Sequence, residues 1–192
     1  MRDEVMSPVR TAACRHFLAA WHGWRSGALL PSRHDVRLED IRPLLSSAFL
    51  LELRGPDEVI FRLAGTRLAE HLGFDPTGRN LIALTPPDQR AVRAARFMAQ
   101  ASRPCGSRFV RRHCYAGGLC VAVEHVALPI RPYRPDAPLQ LLNVAGHIEG
   151  EPKLWDPGED QTFELAVEFA YLDLGAGIPA DTGASEALRE LV

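Results

Sequence analysis

Phe49-Leu50-Leu51-Glu52-Leu53-Arg54-Gly55-Pro56-Asp57-Glu58-Val59-Ile60-Phe61-Arg62-Leu63-Ala64 is a pair of apolar runs folded about a Gly-Pro-Asp centre. Proline presets the φ of a turn position, and an aspartate can hydrogen-bond its own backbone there. Ser47–Arg54 and Glu58–Ala64 therefore read as two antiparallel strands. Upstream, residues 9–25 repeat apolar positions at three- and four-residue steps, Val9, Ala13, Phe17, Ala20, Trp21 and Trp24, which is the pattern of an amphipathic helix. Gly27 stands where a C-terminal cap belongs. Residues 38–45 read as a short helix kept irregular by Pro43.

Downstream, Thr66 can cap a helix that runs to Leu72 and stops at Gly73. Thr85-Pro86-Pro87-Asp88 combines a hydroxyl cap, first-turn prolines and an acid at the positive end of the dipole, so a helix is expected from there to about Ala101. Arg108–Tyr115 and Leu119–Ile130 flank Ala116-Gly117-Gly118, a hairpin signal, and Gln140–Ile148 is a further apolar run. The fold class is α+β: a five-stranded antiparallel sheet, a helical crossover on one face, and an N-terminal amphipathic helix. In the tail, Phe163, Leu165, Val167, Phe169 and Tyr171 alternate as in a strand, while Glu164 and Glu168 also suit a helix; the aromatic and β-branched content leans to a strand.

With 192 residues, 46% hydrophobic and 24% charged, the chain can bury a sizeable core. It has no apolar run of membrane-spanning length and no secretory leader, so a cytoplasmic location without membrane contact is expected. Cys14, Cys105, Cys114 and Cys120 lack C-x-x-C spacing and read as free, packed thiols. Between Asp88 and Glu124 there is no acid, while Arg90, Arg93, Arg96, Arg103, Arg108, Arg111 and Arg112 fall in that window. Stacking aromatics are sparse there and the net charge is −2, so no nucleic-acid partner is assigned, and Arg90, Arg93 and Arg96 read as a solvated helix face.

His113, Cys114, Cys120 and His125 suggest zinc. With Gly117-Gly118 as the turn, however, Cys114 would face Val121 and Cys120 would face Tyr115, putting the thiols on opposite sides of the hairpin. No metal is assigned. There is no G-x-S-x-G elbow and no phosphate loop, so no catalytic residue is assigned. What remains are polar groups within apolar strands: Arg62, Glu124, His125 and Asn143. Glu124 and His125 must face opposite sides of the sheet. These groups either satisfy one another, as an Arg62–Glu124 pair would, or converge on a small pocket.

The order Trp21-His22-Gly23-Trp24-Arg25, Pro31-Ser32-Arg33-His34-Asp35, Phe49-Leu50-Leu51-Glu52-Leu53 and Phe61-Arg62-Leu63-Ala64-Gly65-Thr66 resembles a mostly alphaproteobacterial family of PAS-like proteins. The likeness runs over residues 12–150 and returns at Tyr171-Leu172-Asp173-Leu174-Gly175-Ala176-Gly177. It implies a flanking helix over residues 1–30, a PAS-like domain over 31–150 and a partly mobile extension over 151–192. It further implies a cytoplasmic sensor or adaptor that binds a small molecule, a signalling partner protein or both, and that has no output domain of its own. The alternative is an enzyme or carrier using the same pocket. Arg62, His71, Glu124, His125 and Asn143 are the pocket candidates, and the expected ligand is uncharged or mildly polar. Some PAS domains hold haem through a histidine on the crossover, where His71 lies. A lone histidine near a helix end is an ordinary capping or surface group, so no haem is assigned and the cofactor stays open. Phe17, Trp21 and Trp24 form the stripe expected to join a homodimer, unless the helix folds back onto its own sheet.

Overall fold

Strands β1 (Ala48–Gly55) and β2 (Glu58–Ala64) form the hairpin read from the sequence, paired antiparallel from Phe49 opposite Ala64 to Gly55 opposite Glu58. The computed structural model describes residues 9–114, 120–134, 136–148 and 165–180. The expected glycine turn at Ala116–Gly118, the tail position Phe163 and the tail beyond residue 180 lie outside the described residues. Strands β3 (Gly106–Cys114), β4 (Cys120–Ile130), β5 (Gln140–His147) and β6 (Glu168–Leu172) complete a six-stranded antiparallel sheet in the order β2-β1-β5-β4-β3-β6. The PAS-like α+β layout holds, with β6 added beyond the five strands expected. The alternation of the tail resolves as a strand because the open edge of β3 offers Phe169 a partner in Phe109.

Side-chain alternation divides the sheet between two cores. Ala48 and Leu50 of β1, Val126, Leu128 and Ile130 of β4, and Leu142 and Val144 of β5 face α1 (Ala12–Trp24). Phe49, Leu51, Leu53, Val59, Phe61 and Leu141 face the crossover, formed by α2 (Thr66–Leu72), α3 (Leu81–Leu84) and α4 (Arg90–Ser102). The crossover thus covers one face, as expected, and α1 covers the other. The left-handed Gly73 that ends α2, at φ 71°, is as the sequence indicates.

The Phe17, Trp21 and Trp24 stripe is a correction to the dimer expectation. These side chains are 0%, 0% and 2% exposed against the chain's own sheet, so they are not free to meet a second copy. Polar tips are satisfied inside the chain as well. Trp21 Nε1 donates to the Pro129 carbonyl at 2.9 Å, and Trp24 Nε1 donates to Asp40 Oδ2 at 2.8 Å. Asp40 lies in a 3-10 segment, Leu38–Ser47, that contains Pro43. Just before it, Asp35 Oδ2 accepts from the backbone N–H and hydroxyl of Ser32 at 2.8 and 2.7 Å, while Pro31 and Arg33 hydrogen-bond to Arg131 at the end of β4. Of the residues that carry the likeness, Trp21 and Trp24 dock α1, whereas residues 31–35 are tied to the end of β4 through Arg131.

The β3–β4 register also differs from expectation. Cys114 pairs with Cys120 and His113 with Val121, one residue away from the register that a Gly117-Gly118 turn would set. A slip of one residue exchanges faces, so the misalignment argument against Cys114 and Cys120 does not stand. Cys120 is disulfide-bonded, contrary to the free thiol expected, whereas Cys14 and Cys105 are free and buried.

Candidate functional site

Helix α4 buries an unusual set of residues. After a single 3-10 turn at Pro87–Gln89, its inward face is Arg93, Arg96 and Gln100, at steps of three and four residues. Arg93 and Arg96 are 8% and 7% exposed, so the solvated face expected for them is wrong, although Arg90 is exposed as expected. Arg93 Nη1 donates to Thr85 Oγ1 at 2.8 Å. Gln100 Nε2 donates to the Cys105 carbonyl at 3.2 Å and to Ser107 Oγ at 3.3 Å. The Arg96 guanidinium lies 4.1 Å from the ring centre of Phe169 on β6, a cation–π contact, and its Nε has no hydrogen-bond partner.

Between this face and the sheet is a cavity of about 100 Å³. Phe49, Phe61, Phe97, Phe109 and Phe169 supply most of its aromatic wall, and Leu51, Leu68, Leu72 and Leu81 its aliphatic wall. A second, larger space of about 330 Å³ extends toward Thr11, Pro43, Arg67 and His147. Phe49, Leu68, His71, His113 and His125 border both.

The histidines are arranged face to face. His71 stacks on His113 with centroids 4.2 Å apart, and His125 stacks on Phe109 at 4.7 Å. His113 and His125 are 5.8 Å apart. His125 is 3% exposed, and neither of its ring nitrogens has a hydrogen-bond partner. Burial pushes its pKa down to about 3, helped by Arg111, His71 and His147. Burial, then His125 and His71, hold His113 well below the usual histidine range. Both imidazoles are neutral at pH 7, each with one donor and one acceptor nitrogen. Burial also lowers Arg93 to about 9, with Arg111 and Arg96 adding repulsion.

Of the sequence candidates, His71, His125 and Asn143 line the cavity, Asn143 donating from Nδ2 to the Leu141 carbonyl at 3.0 Å. Arg62 and Glu124 do not, and the Arg62–Glu124 pair is not formed. Arg62 projects from edge strand β2, is half exposed and lies 3.7 Å from Glu52. An edge strand lets its outward side chains reach water past the helices. Glu124 occupies the α1 side, where Arg108 Nε reaches it at 2.6 Å. Sequence reasoning missed Arg93, Arg96, Gln100, Ser107 and Phe109 as cavity residues. The acid-free arginine window contains all five, but the spacing of its arginines matches a solvated face equally well. His113 drew notice only as a metal ligand. Among the described residues no group of three His, Cys, Asp or Glu is placed to hold a metal ion, and no helix is long and apolar enough to cross a membrane.

Residues 9–141 match the family described as PAS domain. The chain belongs to the PAS domain family. PAS domains are sensory modules. No curated protein matches the chain. Among solved structures, the PAS chain is similar to the LOV protein of Rhodobacter sphaeroides (20% identity, TM-score 0.38, 53% of this chain and 58% of that one). It is also similar to the PAS domain of an HTR-like protein from Haloarcula marismortui (16%, TM-score 0.35, 60% and 98%). A third is VqmA of Vibrio cholerae in a complex with ligand and DNA (18%, TM-score 0.38, 58% and 51%). The chain spans a little over half the length of the Rhodobacter LOV protein.

Proposed function

We propose that this PAS chain is a cytoplasmic sensor or adaptor whose crossover cavity binds a small molecule and whose occupancy is read by a partner protein. The observation that carries the reading is His125, a histidine out of water whose two ring nitrogens face an aromatic cavity without hydrogen-bond partners. The great majority of buried polar groups are hydrogen-bonded, and an apolar cavity with a few convergent polar groups is the usual form of a small-molecule site. Strand β6 supplies a route outward. Phe169 lines the cavity, while its neighbour Glu168, on the other face, pairs with Arg10 and Arg108 at 2.9 and 3.0 Å. Arg10 immediately precedes the N-cap of α1, so a ligand that moves Phe169 pulls on the helix.

Native mass spectrometry of the purified protein tests the binding. A small molecule bound in wild type and lost or weakened in His125→Leu is the expected result. A wild-type protein that carries no bound mass, and that no ligand in a metabolite library stabilises against heat, overturns it.

A further inference from the structure

The charge around the cavity carries the binding proposal a step further. Every charged side chain among the described residues that line it is an arginine: Arg93, Arg96 and Arg111 within, and the exposed Arg112 at the rim. No described aspartate or glutamate lines it. Taking a guanidinium out of water is costly unless a counter-charge or hydrogen bonds offset the loss. For Arg96 the offset shown is one aromatic face, Phe169, which leaves the buried Nε as an unused donor. On the opposite wall, neutral His125 holds a second unused donor. Two buried donors, one of them cationic, face a space otherwise walled by phenylalanine and leucine.

We infer that the cavity's ligand is a small amphipathic carboxylate, its acid group held by Arg96 and His125 and its hydrocarbon body set among Phe49, Phe61, Phe97 and Phe109. This departs from the uncharged ligand that the apolar strands alone suggest, and it rests on the proposal that the cavity binds a small molecule. A carboxylate fits better than a phosphate. Its two oxygens match the planar fork of one guanidinium, whereas a phosphate would bring more acceptor oxygens than these two donors serve. The cavity of about 100 Å³ shares its border at Phe49, His71, His113 and His125 with the second space of about 330 Å³, and together they give room for a single ring or a short chain.

The test compares matched pairs on the full chain by isothermal titration calorimetry: benzoate against benzyl alcohol, and hexanoate against 1-hexanol. The carboxylate of at least one pair is expected to bind at least about tenfold more tightly than its alcohol, a difference of about 1.4 kcal/mol. Arg96→Met, which keeps the stem and removes the charge, should reduce that preference to about twofold or less, and Arg96→Lys should retain part of it. If Arg96→Met does not fold, the wild-type pairs and Arg96→Lys decide. Alcohols binding as tightly as their carboxylates, or a preference that survives Arg96→Met, overturns the carboxylate assignment while leaving small-molecule binding standing. If none of the four probes binds, the mass that co-purifies decides: a carboxylic acid supports the inference and a neutral compound overturns it. With no co-purified mass and no binding at all, both this inference and the sensor reading fall.

Discussion

Arg108 Nε donates to Glu124 Oε1 at 2.6 Å, with both side chains out of water on the α1 side of the sheet. Glu124 also accepts from the backbone N–H groups of Arg10, at 2.9 and 3.0 Å, and Thr11, at 2.7 Å. A carboxylate from β4 thereby receives donors at the start of α1 that the helix cannot satisfy itself, in the place where the dipole favours negative charge. Burial alone would raise the Glu124 pKa; the Arg10 and Thr11 N–H groups and Arg108 outweigh it, and the pKa lies below the usual glutamate value. One residue of β4 anchors a helix whose N-cap, Thr11, lies 113 positions earlier in the chain, and the next residue, His125, faces the cavity.

Glu124→Ala is expected to destabilise the protein by about 3–5 kcal/mol, because it leaves the buried Arg108 guanidinium with only the half-exposed Glu168 and takes the acceptor from the helix N–H donors. Urea denaturation reads the loss. Arg108→Met in the same chain should recover part of it, since the uncompensated charge is then gone. An effect below about 1 kcal/mol, the range of a surface pair, would show that the anchor contributes little.

Acid should weaken the fold in two windows. His125 titrates near 3 in the folded chain and near 6.5 when unfolded, so the unfolded state takes up the proton first and stability falls as pH drops from about 6.5 towards 3. His113 shifts in the same direction. Glu124, also depressed, adds a loss that begins below its ordinary 4.5. Denaturation midpoints from pH 7.5 to 4 should fall steadily in wild type and more shallowly in His125→Leu. Equal slopes in the two proteins would remove His125 from the account.

Trp21→Ala and Trp24→Ala should each destabilise by about 3–5 kcal/mol, the usual cost of emptying a core site of this size. Oligomeric state, read by light scattering in native buffer, should not change. Folded variants of undiminished stability that change their oligomeric state would return the stripe to an interface role.

Gly65→Ala should cost about 1–3 kcal/mol. Gly65 is the N-cap of α2, and an added Cβ would collide with the backbone carbonyls of Leu45 and Ser46. Neither carbonyl can rotate away as a side chain would, so the 3-10 segment and α2 must part, and His71 moves with α2. Thermal denaturation checks the cost, and the wild-type midpoint in the variant would contradict it.

Local chemistry alone places the β1–β2 turn at Pro56-Asp57, the stop of α2 at Gly73, the periodicity of α1, and the opposition of Glu124 and His125 across β4. Each follows from φ preferences or from the two- and 3.6-residue repeats, which act within a few residues and leave a readable mark. What covers each face is a long-range matter. A tryptophan stripe reads the same whether its partner is a second copy or the chain's own sheet, and only the positions of Pro129 and Asp40, which receive the indole N–H groups, settle it here. Arg93 and Arg96 carry the spacing of a solvated face, and only the packing of α4 over β3 and β6 turns them inward. Arg62 and Arg108 are both arginines within strands; the first stands on an edge with water beside it, and the second lies between β4 and β6 with Glu124 and Glu168 in reach. Strand order decides between them, because burial depends on what lies across the sheet rather than on what lies along the chain.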